Sequence, residues 1–98
     1  MVNLSCAKWT HTVYADRTVS PCATVAGMSI AASTHWTADV ASSWVSPSSI
    51  AGHTGYDADD VTDAILELAR LGYLVPSDER DSSGRIRFEL ALPPQSEN

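Results

Sequence analysis

Residues 44–74 read WVSPSSIAGHTGYDADDVTDAILELARLGYL, and the second half of that stretch carries the strongest periodicity in the chain. Val61, Ala64, Ile65 and Leu68 recur at the i, i+3, i+4, i+7 spacing that gathers apolar side chains on one face of a helix. Asp57 stands at the capping position, Asp60 falls at the third helical position in a variant of the capping box, and Gly72 closes the helix as a left-handed cap. Upstream, Ser46-Pro47 is a helix start: the hydroxyl caps a free amide and proline suits the first helical position. It opens a short helix, Pro47 to His53, with Ile50 and Ala51 facing inward. Thr54-Gly55-Tyr56 makes the turn between the two helices, with Gly55 free to take a positive φ.

Downstream of this pair, Tyr73-Leu74-Val75 reads as a strand and Pro76 to Gly84 as a polar loop. Ile86, Phe88, Leu90 and Leu92 then alternate with Arg85, Arg87, Glu89 and Ala91, the pattern of a half-buried strand. Pro93-Pro94 stops it, and residues 93–98 read as a flexible tail. Upstream, Ser20-Pro21 repeats the start signal for a helix over Cys22 to Ser33, with Cys22, Val25, Ala26, Ser29 and Ala32 along one stripe. Gly27 inside it costs roughly 1 kcal/mol relative to alanine. A further short helix fits Ala38 to Ser43, and residues 1–18 read as an extended arm or strand through the alternation around Trp9 to Tyr14.

Helix, glycine turn, helix, hairpin is the order of a winged helix, and the wording agrees. The stretch P-S … I-A … T-G … V … A-I … L … L-G-Y-L resembles the helix-turn-helix of the winged-helix DNA-binding superfamily, in the form found in small regulators and replication-initiator domains of bacterial plasmids and phages. The resemblance spans Trp44 to about Leu92. It implies an α+β fold: a winged helix-turn-helix domain over 19–92, with three or four helices followed by a β-hairpin wing. It also implies a double-stranded DNA partner and a homodimer, because one such domain offers too small an interface for tight binding. Carried onto this chain, Ser48 and Ser49 touch phosphate through hydroxyl and amide groups. Ala58, Asp59, Thr62, Asp63 and Glu67 face the major groove, and Arg80, Arg85 and Arg87 on the wing reach the backbone or minor groove.

Charge argues differently. The chain carries a net charge of −6, and from Asp57 onward four arginines stand against ten acids. The half with the motif therefore holds all the net acidity, whereas nucleic-acid binders concentrate the opposite sign there. Asp57, Asp59 and Asp60 in the first helical turn stabilise the helix dipole by roughly 0.3–1 kcal/mol each, but Asp63 and Glu67 lie beyond that turn. Carboxylates facing phosphate repel by on the order of 1 kcal/mol each even in water. Two functions follow. One is a small DNA-binding regulator or accessory factor of a mobile element. The alternative is an interaction module, or DNA mimic, that presents Asp59, Asp60, Asp63 and Glu67 to a basic partner protein.

The remaining composition narrows the field. Ninety-eight residues suit one domain that buries about 60–65% of its unfolded surface. Thr18 to Ala38 is uncharged but studded with Ser, Thr and a His, so no membrane span is expected, and without a basic leader and apolar h-region the expected location is the cytoplasm. Cys6 and Cys22 are too few for a disulfide scaffold and read as small, partly buried thiols. His11, His35 and His53 lack ligand spacing, so no metal or other cofactor is expected, and no nucleophile–base pair or phosphate loop marks an enzyme. Trp9, Trp36 and Trp44 read as core or boundary packing.

Overall fold

Serine hydroxyls open three of the helices. The computed structural model describes residues 5–36, 41–83 and 85–93. Ser5 accepts the Lys8 amide ahead of α1 (Cys6–Ala15), Ser20 the Ala23 amide ahead of α2 (Pro21–Ala32), and Ser46 the Ser49 amide ahead of α3 (Pro47–Thr54). The fourth helix, α4 (Ala58–Leu71), starts without such a cap. Asp57 occupies the N-cap and its carbonyl accepts the Val61 amide, but its side chain makes no capping bond, and Asp59 and Asp60 supply first-turn negative charge instead. Gly55 (φ 84°) and Gly72 (φ 96°) end α3 and α4 in the left-handed region, as their positions in the sequence require.

The strands are β1 (His35–Trp36), β2 (Ala41–Val45), β3 (Leu74–Arg80) and β4 (Ile86–Leu90), in the order β1-β2-β4-β3 with every pairing antiparallel. The fold is thus α+β, with four helices and a four-stranded antiparallel sheet among the described residues. Ser43 and Val45 of β2 turn inward with Phe88 and Leu90 of β4, and the alternate residues Ser42, Trp44, Arg87 and Glu89 share the outer face. α2 packs against α1, α3 and α4, and α4 against α3 and β3. Burying Val61, Ile65 and Leu68 of α4 stabilises by roughly 1.5–3 kcal/mol per side chain.

Four sequence expectations change. Residues 6–15 form a helix and not an arm or strand: Trp9 and Val13, four apart, are fully buried, and this i, i+4 pair outweighs the β-like alternation of Thr10, Thr12 and Tyr14. The domain core therefore begins before residue 19. The helix expected over 38–43 is replaced, in its described part, by β2, because pairing with β4 gives Ala41, Ser43 and Val45 a buried face at period two. The loop expected over 76–84 is strand as far as Arg80, with an irregularity in register between Pro76 and Arg80 that accommodates the proline. On α2 the buried face is Ala23, Ala26, Gly27, Ile30 and Ala31; Val25 and Ala32 face solvent. The expected tail at 93–98 lies outside the described residues except for Pro93.

α1 is tied to the residues that follow α4 and β4. The Trp9 indole donates to the carbonyls of Tyr73 (3.2 Å) and Ala91 (2.9 Å), and its ring meets Tyr73 edge to face at 6.3 Å. The Tyr73 hydroxyl donates to Asp16 at 2.6 Å. Burial, then the hydrogen bond and charge of Asp16, push the Tyr73 hydroxyl well above the usual tyrosine range. That same hydrogen bond, followed by those from Thr18, holds Asp16 below the usual carboxylate range.

Candidate functional site: the α3–hairpin edge and the α4 face

The sheet order decides what stands beside what. Because β2 runs directly into α3 and pairs with β4, the start of α3 lies next to the start of β4. Ser49 and Arg85, thirty-six residues apart by number, consequently border the same cleft. This cleft, about 530 Å3, opens between α2, β2 and α3. Its polar lining includes serine and threonine residues, His53 and Arg85, and among the described residues no carboxylate lines it. Trp44 flanks it and is 38% exposed: on β2 it points to the outer face, opposite Arg87, and is not among the buried core residues that include Trp9.

Ser48 and Ser49 are exposed in the first turn of α3. The Ser49 amide already donates to Ser46, at 3.4 Å, and the Ser46 and Ser48 hydroxyls are 3.1 Å apart. Their hydroxyls, more than the Ser49 amide, are what an incoming phosphate would meet.

Arg85, just before β4, and Arg87 on it each have a carboxylate partner in the hairpin. Arg87 donates to both oxygens of Glu79 at 3.0 and 3.1 Å and to the Ser42 hydroxyl at 3.2 Å. Arg85 donates through Nε to Asp81. Asp81 also accepts the Arg85 and Ser83 amides and the Ser83 hydroxyl. Partial burial pushes the Asp81 carboxyl up, but these four hydrogen bonds outweigh it and hold the group down at about 2. Asp81 therefore stays ionised and fixes the hairpin tip. Arg80 is exposed, and its side chain reaches only the Glu79 carbonyl, at 3.5 Å.

On α4 the residues named from the sequence separate into two groups. Asp59, Asp60, Thr62 and Asp63 are exposed, and among the described residues no cation pairs with the three carboxylates. The Thr62 hydroxyl donates back to the Ala58 carbonyl at 2.9 Å. Glu67 is half-buried and turned toward α2: its two oxygens accept the Ser20 amide (2.7 Å) and hydroxyl (2.8 Å). It is a fixture of the α2–α4 contact, not part of the open face. Leu66 and Arg70 complete that face, Leu66 at 57% exposure.

Beside Glu67, a pocket of about 200 Å3 collects Asp60, Asp63, Cys22 and Tyr56. Burial, then the charges of Asp60, Glu67 and Asp63, push the Cys22 thiol up and keep it protonated, while Cys6 is exposed, contrary to expectation. Among the described residues no three His, Cys, Asp or Glu side chains are grouped to hold a metal, and no helix is long and apolar enough to cross a membrane.

The contribution of Trp44 and of the α2 serines to the cleft was not legible, because it depends on β2 being a strand. The Glu67–Ser20 contact had a signal: a lone carboxylate beside the buried stripe of one helix and an uncapped serine start on another. Comparison of the chain with protein-family models, with curated proteins and with solved structures finds no match.

Proposed function

We propose that the chain is a winged helix-turn-helix domain that meets double-stranded DNA by its α3–hairpin edge, as a small regulator or accessory factor of a mobile element. The observation that carries this reading is the cleft shared by Ser49 and Arg85, which has no carboxylate among its described lining residues, on a chain of net charge −6. Supporting it, α3, the Gly55 turn, α4 and the β3–β4 hairpin follow in winged-helix order, with β2 as a third strand against β4. Hydroxyls and arginine at this edge suit phosphate, whereas α4 brings Asp59 and Asp63 where such domains bring cations. Two copies on one site supply the area that a single small domain lacks.

A second reading is favoured by one observation: Arg85 and Arg87 have carboxylate partners, while among the described residues Asp59, Asp60 and Asp63 have no cation. In it, the open face of α4 docks a basic protein.

Fluorescence anisotropy on a labelled mixed-sequence duplex, over a salt series, separates the two. Under the duplex reading, micromolar binding weakens steeply with salt. Arg85→Glu with Arg87→Glu then abolishes it, and Asp59→Lys with Asp63→Lys strengthens it. A folded protein that shows no binding at low salt overturns the duplex reading. A pull-down with Asp59→Lys/Asp63→Lys as control then tests the basic partner.

A further inference from the structure

The α2–β2–α3 cleft has the composition of a small-molecule site, which duplex contact does not require. We propose that it binds a small molecule built from a flat ring and a phosphate, of the class of nucleoside monophosphates. Its volume of about 530 Å3 lies in the range of ligand pockets, roughly 300–1,000 Å3.

Three features select the ligand. The first is sign: among the described residues no acid lines the cleft, and Asp81, the carboxylate that holds its arginine, is engaged by four hydrogen bonds from Arg85 and Ser83. The second is the arginine. Arg85 is oriented by Asp81 through Nε alone, and its terminal nitrogens donate to no protein acceptor among the described residues. Those two nitrogens form a fork whose geometry matches a phosphate, with the Ser49 hydroxyl and His53 on the same wall. The third is the ring. Trp44 lines the cleft from the outer face of β2 with its indole partly in water, a stacking surface that a base reaching past the strand covers and inorganic phosphate does not. Ser29 of α2 and Ser33 at its C-cap line the cleft as well, hydroxyl-bearing residues suited to a sugar.

The site does not depend on the duplex reading, and its test contains no duplex. Full-length protein is titrated with adenosine 5′-monophosphate, adenosine and inorganic phosphate, and followed by amide and indole NMR shifts. The expected result is saturable shifts at the Trp44 indole and at residues 46–53, with the nucleotide binding more tightly than either fragment. Arg85→Ala is expected to weaken it about tenfold or more, the scale of one charged hydrogen-bonded contact. Arg70→Ala, which removes a cation far from the cleft lining, leaves affinity unchanged. Arg85→Ala deletes one exposed ion pair, and its amide spectrum reports whether the fold is retained. No saturable shift at millimolar nucleotide, shifts mapping away from the cleft, or equal loss in both arginine variants overturns the proposal. Nucleotide binding without duplex affinity removes the duplex reading alone; the reverse result removes this site alone.

Discussion

Both oxygens of Glu67 accept from Ser20, one from its amide and one from its hydroxyl, while that hydroxyl accepts the Ala23 amide. One carboxylate on α4 thereby anchors the first turn of α2, closing a chain of hydrogen bonds between two helices that share the core. Removing it leaves the Ser20 amide half-buried without its acceptor, and hydrogen bonds to a charged group contribute about 1.5–3 kcal/mol. Glu67→Ala should therefore lower the urea midpoint by an amount equivalent to about 2 kcal/mol. Asp63→Ala, one turn earlier and exposed, should stay within about 0.5 kcal/mol of the parent. Equal midpoints for the two variants would show that the Ser20 contact contributes nothing to stability, and would return Glu67 to the open face where its sequence position alone had placed it.

At the scale of elements, legibility followed from how local each signal is. α4 was plain because Val61, Ala64, Ile65 and Leu68 repeat a helical period over eight residues, and Gly55 and Gly72 mark both of its neighbouring turns. α1 was not, since Trp9 and Val13 alone face the core while Thr10, Thr12 and Tyr14 imitate a strand. β2 was hidden for a stronger reason: its five residues take their buried face from β4, more than forty positions away. The cleft inherited that opacity, so Ser49 and Arg85 were named singly and not as a pair. Gly27 on α2 gives an element-scale test of how α1 crosses α2. A Cβ there would stand 3.4 Å from Trp9 Cη2, 3.6 Å from Leu68 Cδ1 and 3.6 Å from Val13 Cγ1, all ordinary contact distances. Gly27→Ala thus gains helix propensity, about 1 kcal/mol, without displacing the indole. Thermal unfolding should shift upward by roughly 4–8 °C for a domain of this size. A downward shift would mean the α1–α2 crossing is tighter than these distances.

Across the whole molecule, α1 is fastened at one place to the residues that follow α4 and β4. Trp9 on α1 donates to Tyr73 and Ala91, the Ala91 amide donates to the Tyr73 carbonyl, and the Tyr73 hydroxyl donates to Asp16 at the end of α1. Two titrations report on this junction from opposite sides of neutrality. Asp16 is held below its unfolded value, so its contribution to stability is fully present above about pH 4 and is lost as pH falls through the folded value. Tyr73 is held above its unfolded value, so its contribution is full below about pH 10 and is lost as pH rises beyond it, the folded state resisting a deprotonation that the unfolded chain accepts. Stability measured by denaturant unfolding should accordingly decline from about pH 10 upward as well as in acid. Tyr73→Phe keeps the buried ring against Trp9 but removes the hydroxyl, and with it the downward force on Asp16. At neutral pH the variant should lose roughly 1 kcal/mol, the scale of one hydrogen bond. Its alkaline decline should flatten relative to the parent, because the hydroxyl whose deprotonation the folded state resists is gone. Its acid decline should also become shallower, since Asp16 no longer has a Tyr73 partner to lose. Parallel pH profiles for parent and variant at both ends would mean that the Asp16–Tyr73 bond does not hold α1 to the start of β3 in solution, leaving the Trp9 indole as the fastening between them.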